Sequence, residues 1–171
     1  RKKSEMHTYN YETSNSSTVW EYDGEGHIIS EVVFDYKNNV MQKSSFVYLH
    51  GKLSREERGN SVTEYVYDTL GRRLKEKITD AGVITSEKNF DAAGRVLSWM
   101  HYTSGNLAYY ETNIYGVRGL LQRSTRRDSR GIITEETGYA YDNEGNVSVE
   151  IGRGEGGKKR YHKVFVYSYY D

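Results

Sequence analysis

The chain has 171 residues, sets 24 Lys+Arg against 24 Asp+Glu for zero formal net charge, and contains neither Cys nor Pro. A nucleic-acid partner needs a basic face. With the charges balanced, Arg126-Arg127 with Arg130 and Lys158-Lys159-Arg160 read as solvated turn and strand-edge residues, so no nucleic-acid partner is expected. The absent Cys excludes disulfides and thiolate metal sites, and no apolar run reaches the roughly 20 residues of a membrane-spanning helix. With a mean hydropathy of −0.84, much of the buriable surface falls to 17 Tyr, 4 Phe and 2 Trp. Tyr buries a ring while its hydroxyl stays wet, so the composition points to a thin sheet rather than a thick core.

From the N-terminus, the chain begins at Arg1 without Met, which leads us to expect a processed or engineered piece, and residues 1–15 read as a terminal strand or cap. The first copy of an aromatic-Asp-x-x-Gly phrase follows, Tyr22-Asp23-Gly24-Glu25-Gly26. Beyond it Ile28-Ile29 and Val32-Val33-Phe34 carry apolar groups on both strand faces, and Asn38-Asn39 marks a turn. A shortened copy, Tyr48-Leu49-His50-Gly51, precedes a turn at Gly59-Asn60. The next full copy is Tyr67-Asp68-Thr69-Leu70-Gly71, followed by Leu74, Glu76 and Ile78 at strand spacing and a turn at Asp80-Ala81-Gly82. Phe90-Asp91-Ala92-Ala93-Gly94 comes next, then a turn at Ser104-Gly105-Asn106. A degenerate copy at Tyr115-Gly116-Val117-Arg118-Gly119 leads to the turn Asp128-Ser129-Arg130-Gly131. The last copy, Tyr141-Asp142-Asn143-Glu144-Gly145, opens a strand with Val147, Val149 and Ile151 alternating. The Gly-rich run from Gly152 to Gly157 reads as a long hairpin tip, and residues 152–171 as the other terminal strand or cap.

Units thus begin near 22, 48, 67, 90, 115 and 141, in one array over 1–171. Such a period denotes a supersecondary unit that cannot bury its apolar surface alone. Turn signals recur about every 12 residues, the spacing of an all-β chain, and helical spacing is poor throughout. Each full copy has the chemistry of a hairpin turn. Asp23, Asp68, Asp91 and Asp142 accept a backbone N–H from two residues on, and Gly26, Gly71, Gly94 and Gly145 supply positive φ for a G1 bulge. The predicted architecture is all-β: tandem β-hairpin repeats, 12 to 14 strands, in a long, curved antiparallel meander sheet or a partial shell.

Tyr67-Asp68-x-x-Gly71-Arg72-x-Leu74 and Phe90-Asp91-x-x-Gly94-Arg95-Val96-Leu97 resemble the YD repeat of the bacterial Rhs family. The resemblance covers roughly residues 20 to 151. Members of that family are secreted or surface proteins whose repeats form β-sheet scaffolds, some curled into a shell around a toxin, and the repeats have been associated with carbohydrate binding. The resemblance therefore implies a bacterial, extracytoplasmic scaffold. The Pro- and Gly-containing segment of large members is missing, and six units are too few to enclose a cargo.

No constellation identifies a reaction, so no enzyme and no cofactor are expected. His7, His27, His50, His101 and His162 show no metal-ligand spacing, and no Gly-x-Ser-x-Gly elbow is present. Gly-x-Gly-x-x-Gly within 152–157 opens no helix in a βαβ unit. Glu56-Glu57 and Glu135-Glu136 are strand neighbours that point to opposite faces, poor candidates for a paired acid and base. Aromatics are the better lead. Trp99, Tyr102, Tyr109, Tyr110 and Tyr115 cluster within one and a half repeats, where flat rings stack on sugar faces or on each other in a structural ladder. The partners expected are a protein or a cell-surface glycan, with edge-to-edge self-association of the sheet.

Overall fold

The structure, a computed structural model, describes residues 3–11 and 14–167, with side chains from Ser16 onward. The chain divides into two compact units, Arg1–Ile84 and Thr85–Asp171. The first holds β1 (Lys3–Tyr11), β2 (Ser14–Tyr22), β3 (Ile28–Phe34), β4 (Val40–Leu49), β5 (Lys52–Arg58), β6 (Ser61–Tyr67) and β7 (Arg73–Asp80). From β1 to β7, consecutive strands pair antiparallel. β8 (Val83–Phe90) starts just before the boundary. The second unit continues with β9 (Val96–Thr103), β10 (Asn106–Tyr115), β11 (Leu121–Asp128), β12 (Ile133–Tyr141), β13 (Val147–Gly154) and β14 (Lys159–Val164). It is again an antiparallel meander in chain order. The all-β hairpin meander expected from the sequence is the fold.

Among the described residues no hydrophobic side chain is fully buried; the buried polar side chains are Ser44, Thr125 and Thr137. Within each unit the strands pack on their sequence neighbours, with no second layer over them among the described residues. Stability therefore rests on cross-strand pairs, each contributing roughly 0.2–1 kcal/mol, rather than on a central core.

Two kinds of turn join the strands. Tight two-residue turns at His50-Gly51, Ala81-Gly82 and Ser104-Gly105 have positive φ at both positions, the geometry that matches strand twist. Gly59-Asn60 is a further two-residue turn, with positive φ at Gly59 alone and no bulge after it. The turns that carry the repeated phrase are longer and are followed by a bulge. Ile114 pairs with Arg123 and Tyr115 with Leu121, so Gln122 is an extra residue. In the same way Leu97 is extra beside Phe90, Leu74 beside Tyr67 and Ser148 beside Tyr141. Each bulge resets side-chain alternation, which is why Ile28-Ile29 read as apolar on both faces. The run Gly152–Gly157 differs from the expected long tip. Gly152 and Gly154 belong to β13, and only Glu155–Gly157 form the turn, as a single 3-10 turn.

Candidate functional site

The repeated phrase forms one hydrogen-bonded turn. At Asp91 the backbone N–H donates to the Arg95 carbonyl at 2.9 Å, and the Gly94 N–H donates to the Asp91 carbonyl at 3.0 Å. Asp91 Oδ1 accepts the N–H groups of Ala93 and Arg95 at 2.8 and 3.0 Å. Its Oδ2 accepts Arg95 Nε at 2.7 Å. Asp68 repeats this with Leu70 and Arg72, and Asp23 with Glu25 and His27. At Asp142 the Asn146 N–H and Nδ2 take the corresponding places. Two turns that lack the full phrase are built alike. Asp35 holds Lys37 and Asn39, with Asn38 at φ 62 in the glycine's place. Asp128 holds the N–H groups of Arg130 and Ile132, and the Arg130 guanidinium replaces the missing donor four residues on. The degenerate copy keeps the backbone bonds of Gly116 and Gly119 without the carboxylate. The signal that unites these turns is Asp followed within four residues by a side-chain donor, four residues on at Asp23, Asp35, Asp68, Asp91 and Asp142 and two residues on at Asp128.

These bonds depress the aspartate pKa values below the ordinary carboxylate range. The first cause is the Arg95 side chain at Asp91, the Arg72 backbone N–H at Asp68 and the His27 backbone N–H at Asp23. For Asp142 the largest influence, desolvation, acts upward, and the bonds from Asn146 outweigh it. A carboxylate held this way is a turn fastener and a poor proton donor near neutrality.

Tyrosine hydroxyls tie consecutive hairpins together at four places, three of them from the residue that opens a copy. Tyr115 Oη donates to the Val96 carbonyl at 3.0 Å, Tyr141 to Leu121 at 2.7 Å, Tyr67 to Leu53 at 2.9 Å and Tyr167 to Val147 at 3.0 Å. Val96, Leu121 and Val147 each immediately precede the extra residue of a bulge. Basic side chains add a second tie at the turns: Arg118 donates to the carbonyls of Asp142 and Asn143 at 3.3 and 3.0 Å.

On the second unit, register and contacts sort the five aromatics singled out in the sequence. Trp99 and Tyr109 lie on one face, with His101 between their rings: centroids are 4.1 Å apart for Trp99–His101 and 4.2 Å for His101–Tyr109. Lys88 Nζ lies 5.0 Å from the Trp99 ring centre, and the Arg126 guanidinium 4.7 Å from that of Tyr109. Trp99 Nε1 donates to Ser86 Oγ at 2.7 Å. Arg126 in turn donates to Glu111 Oε1 and sits 3.6 Å from Glu135. Tyr102 and Tyr110 are strand positions of opposite parity to Trp99 and Tyr109, and face the other way. Tyr102 Oη donates to Glu87 at 2.9 Å, and Tyr110 lies beside Arg127. Tyr115 stands apart beneath Arg95, 4.7 Å from its guanidinium. The structure thus joins Trp99 and Tyr109 and separates the other three. His101, which links the two rings, was passed over in the sequence because it lacks metal-ligand spacing; its signal was a place two residues from Trp99.

The first unit carries a related row. Trp20 Nε1 donates to Glu31 at 3.1 Å, Ser44 Oγ donates to the same carboxylate at 3.3 Å, and Arg58 lies 3.6 Å from it. Arg58 also pairs with Glu56 and covers Phe46. His27 binds Asp23 and stacks on Tyr48 at 4.4 Å. No cluster of metal-ligating side chains occurs among the described residues, nor is any helix there long and apolar enough to cross a membrane.

No protein-family model and no curated protein matches this chain. Solved structures share its fold. The crystal structure of TcdB2-TccC3-TEV is similar over 94% of this chain and 11% of that one, at a TM-score of 0.54 and 14% identity. The chain therefore spans about a tenth of that protein's length, and the likeness is one of fold. A weaker likeness, with a TM-score of 0.37 at 16% identity, is to a porin-like protein from Bacteroides uniformis ATCC 8492, over 95% of this chain and 55% of that one. The antiparallel meander shared with TcdB2-TccC3-TEV is built here from the Asp turns and Tyr hooks described above.

Proposed function

We propose that the chain is a noncatalytic scaffold segment of a secreted or cell-surface bacterial protein, built of YD-type repeats, which presents its sheet faces and edges to a protein partner. The observation that carries this reading is the consecutive tie from one hairpin to the next, Tyr115 to Val96 and Tyr141 to Leu121. Each repeat is completed by its neighbour, as an extensible scaffold requires. The motif residues are spent on that architecture: the Asp carboxylates hold turns, and Arg95 and Arg118 reach neighbouring turns. The YD-type phrase supports the extracytoplasmic setting, and the likeness to TcdB2-TccC3-TEV supports the scaffold fold. Native-state hydrogen exchange in graded denaturant tests the reading. A nearest-neighbour scaffold opens strand by strand from its ends, whereas a domain organised around one site opens as a unit.

The alternative is a carbohydrate-binding module that uses the sheet's aromatics. Its platform would comprise Trp99 and Tyr109 on one face, with Tyr102 and Tyr110 on the other and Tyr115 under Arg95. Lys88, His101 and Arg126 already lie against the Trp99 and Tyr109 rings, which favours the scaffold. A glycan-array screen with a Trp99→Ala control separates the two. Selective binding lost in the control supports the module, and absence of binding supports the scaffold.

A further inference from the structure

The stack Lys88–Trp99–His101–Tyr109–Arg126 contains an imidazole with a cationic side chain at each end. His101 lies against Trp99 on one side and Tyr109 on the other. Its Nε2 is buried and finds no hydrogen-bond partner in the structure. The groups facing it are Ser86 and Lys88 from β8, Trp99 from its own strand, Tyr109 and Glu111 from β10, and Arg126 and Asp128 from β11. Two carboxylates on that face are committed. Glu111 accepts two bonds from Arg126, and Asp128 holds its turn and Arg130. Glu135 also faces Arg126. A proton added to the ring therefore places a charge between Lys88 and Arg126, with no free acceptor against the buried nitrogen.

We propose that this stack is an acid-labile clasp across β8 to β11: it is closed while His101 is neutral and releases when His101 is protonated, freeing the Trp99 and Tyr109 rings. The inference goes beyond the scaffold reading, since it assigns the sheet a device that alters one face with pH. Burial is the first cause that lowers the His101 pKa from its ordinary 6.5; Glu111 opposes it, and Arg126 and Lys88 reinforce it. The sign follows. Above 6.5 the folded and unfolded chains both carry neutral His101 and the clasp contributes in full. As pH falls below that value the unfolded chain takes the proton first, and the contribution declines until the folded ring is protonated too.

The test is an NMR pH titration of the intact chain from pH 7.5 to 4. It follows the His101 ring shift and the ring-to-ring contacts of His101 with Trp99 and Tyr109. The expected result is a His101 midpoint below 6.5 with loss of both contacts over the same interval, while the turn amides at Asp68 and Asp91 stay protected. His101→Phe should retain the Trp99–Tyr109 stack to the lowest pH at which the fold persists. Lys88→Gln should move the midpoint upward, and it keeps the test decisive if the Phe variant does not fold. A His101 midpoint at or above 6.5, contacts that survive protonation, or a Lys88→Gln midpoint that stays put or falls would overturn the proposal.

Discussion

Replacing Tyr141 with Phe removes one oxygen and leaves the ring in place, so it isolates the bond between consecutive hairpins. The Tyr141 hydroxyl donates to the Leu121 carbonyl at 2.7 Å in a half-buried setting. A neutral intramolecular bond of this kind contributes about 1 kcal/mol net. The Tyr167 hydroxyl makes the corresponding bond to Val147 at 3.0 Å on an exposed side chain, where water replaces the lost donor, so Tyr167→Phe should cost under about 0.5 kcal/mol. With a urea slope of about 2 kcal/mol/M, Tyr141→Phe should lower the unfolding midpoint by about 0.5 M. The assay is urea unfolding followed by Trp99 emission in a Trp20→Phe background, which reports the second unit. Amide exchange should show the loss concentrated in β11 to β13. Equal midpoints for the two variants, or a uniform loss of protection across the unit, would refute the hook as the element that completes each repeat.

Three further outcomes follow from the geometry. Asp68 and Asp91 have pKa values depressed below 3.8 by the Arg72 backbone and the Arg95 side chain respectively. Their contribution is therefore complete above 3.8 and lost as pH falls through the folded values, and Asp68→Asn with Asp91→Asn should flatten the urea midpoint between pH 5 and 3. At the alkaline end, burial raises the pKa of Tyr65, Tyr139 and Tyr141 above 10. The unfolded chain ionises first, so stability should decline as pH rises through 10, as read by thermal unfolding at pH 9 and 11. Gly152→Ala would place a Cβ 2.3 Å from the Tyr161 ring. Displacing that ring should cost roughly 1–3 kcal/mol, whereas Gly138→Ala, with nothing within 4 Å, should be neutral or slightly stabilising. Urea midpoints of the two variants check this pair.

The turn positions were legible because Asp and Gly at fixed offsets satisfy backbone groups locally, with little help from the rest of the chain. Asp35 and Asp128 escaped the motif because it was defined by its glycine and its aromatic, while the physical requirement is a side-chain donor for Oδ2. Asn39 meets that need at Asp35, and Arg130 at Asp128. The Tyr hooks were invisible for a different reason. Their acceptors are backbone carbonyls 14 to 20 residues away on the preceding hairpin, and the turn glycine that marks a bulge does not say which hydroxyl will reach it. Bulges also defeat any reading of faces by simple alternation. Clustering in sequence grouped Tyr109 with Tyr110, yet neighbouring strand residues point to opposite sides. The partner of Trp99 across the ladder proved to be Lys88, 11 residues earlier, with His101 and Tyr109 completing a stack that only register reveals.

The ties between neighbouring hairpins have a kinetic consequence. Tyr67 to Leu53 spans 14 residues, Tyr115 to Val96 spans 19, and Arg118 to Asn143 spans 25. Every such closure is short in chain distance, so contact order is low for an all-β protein and little loop entropy has to be overcome before the next contact forms. Each hairpin can set on the one already formed as soon as its own residues emerge from a ribosome. The growing sheet edge then serves as the template, and the chain has no need to wait for a distant segment to begin folding.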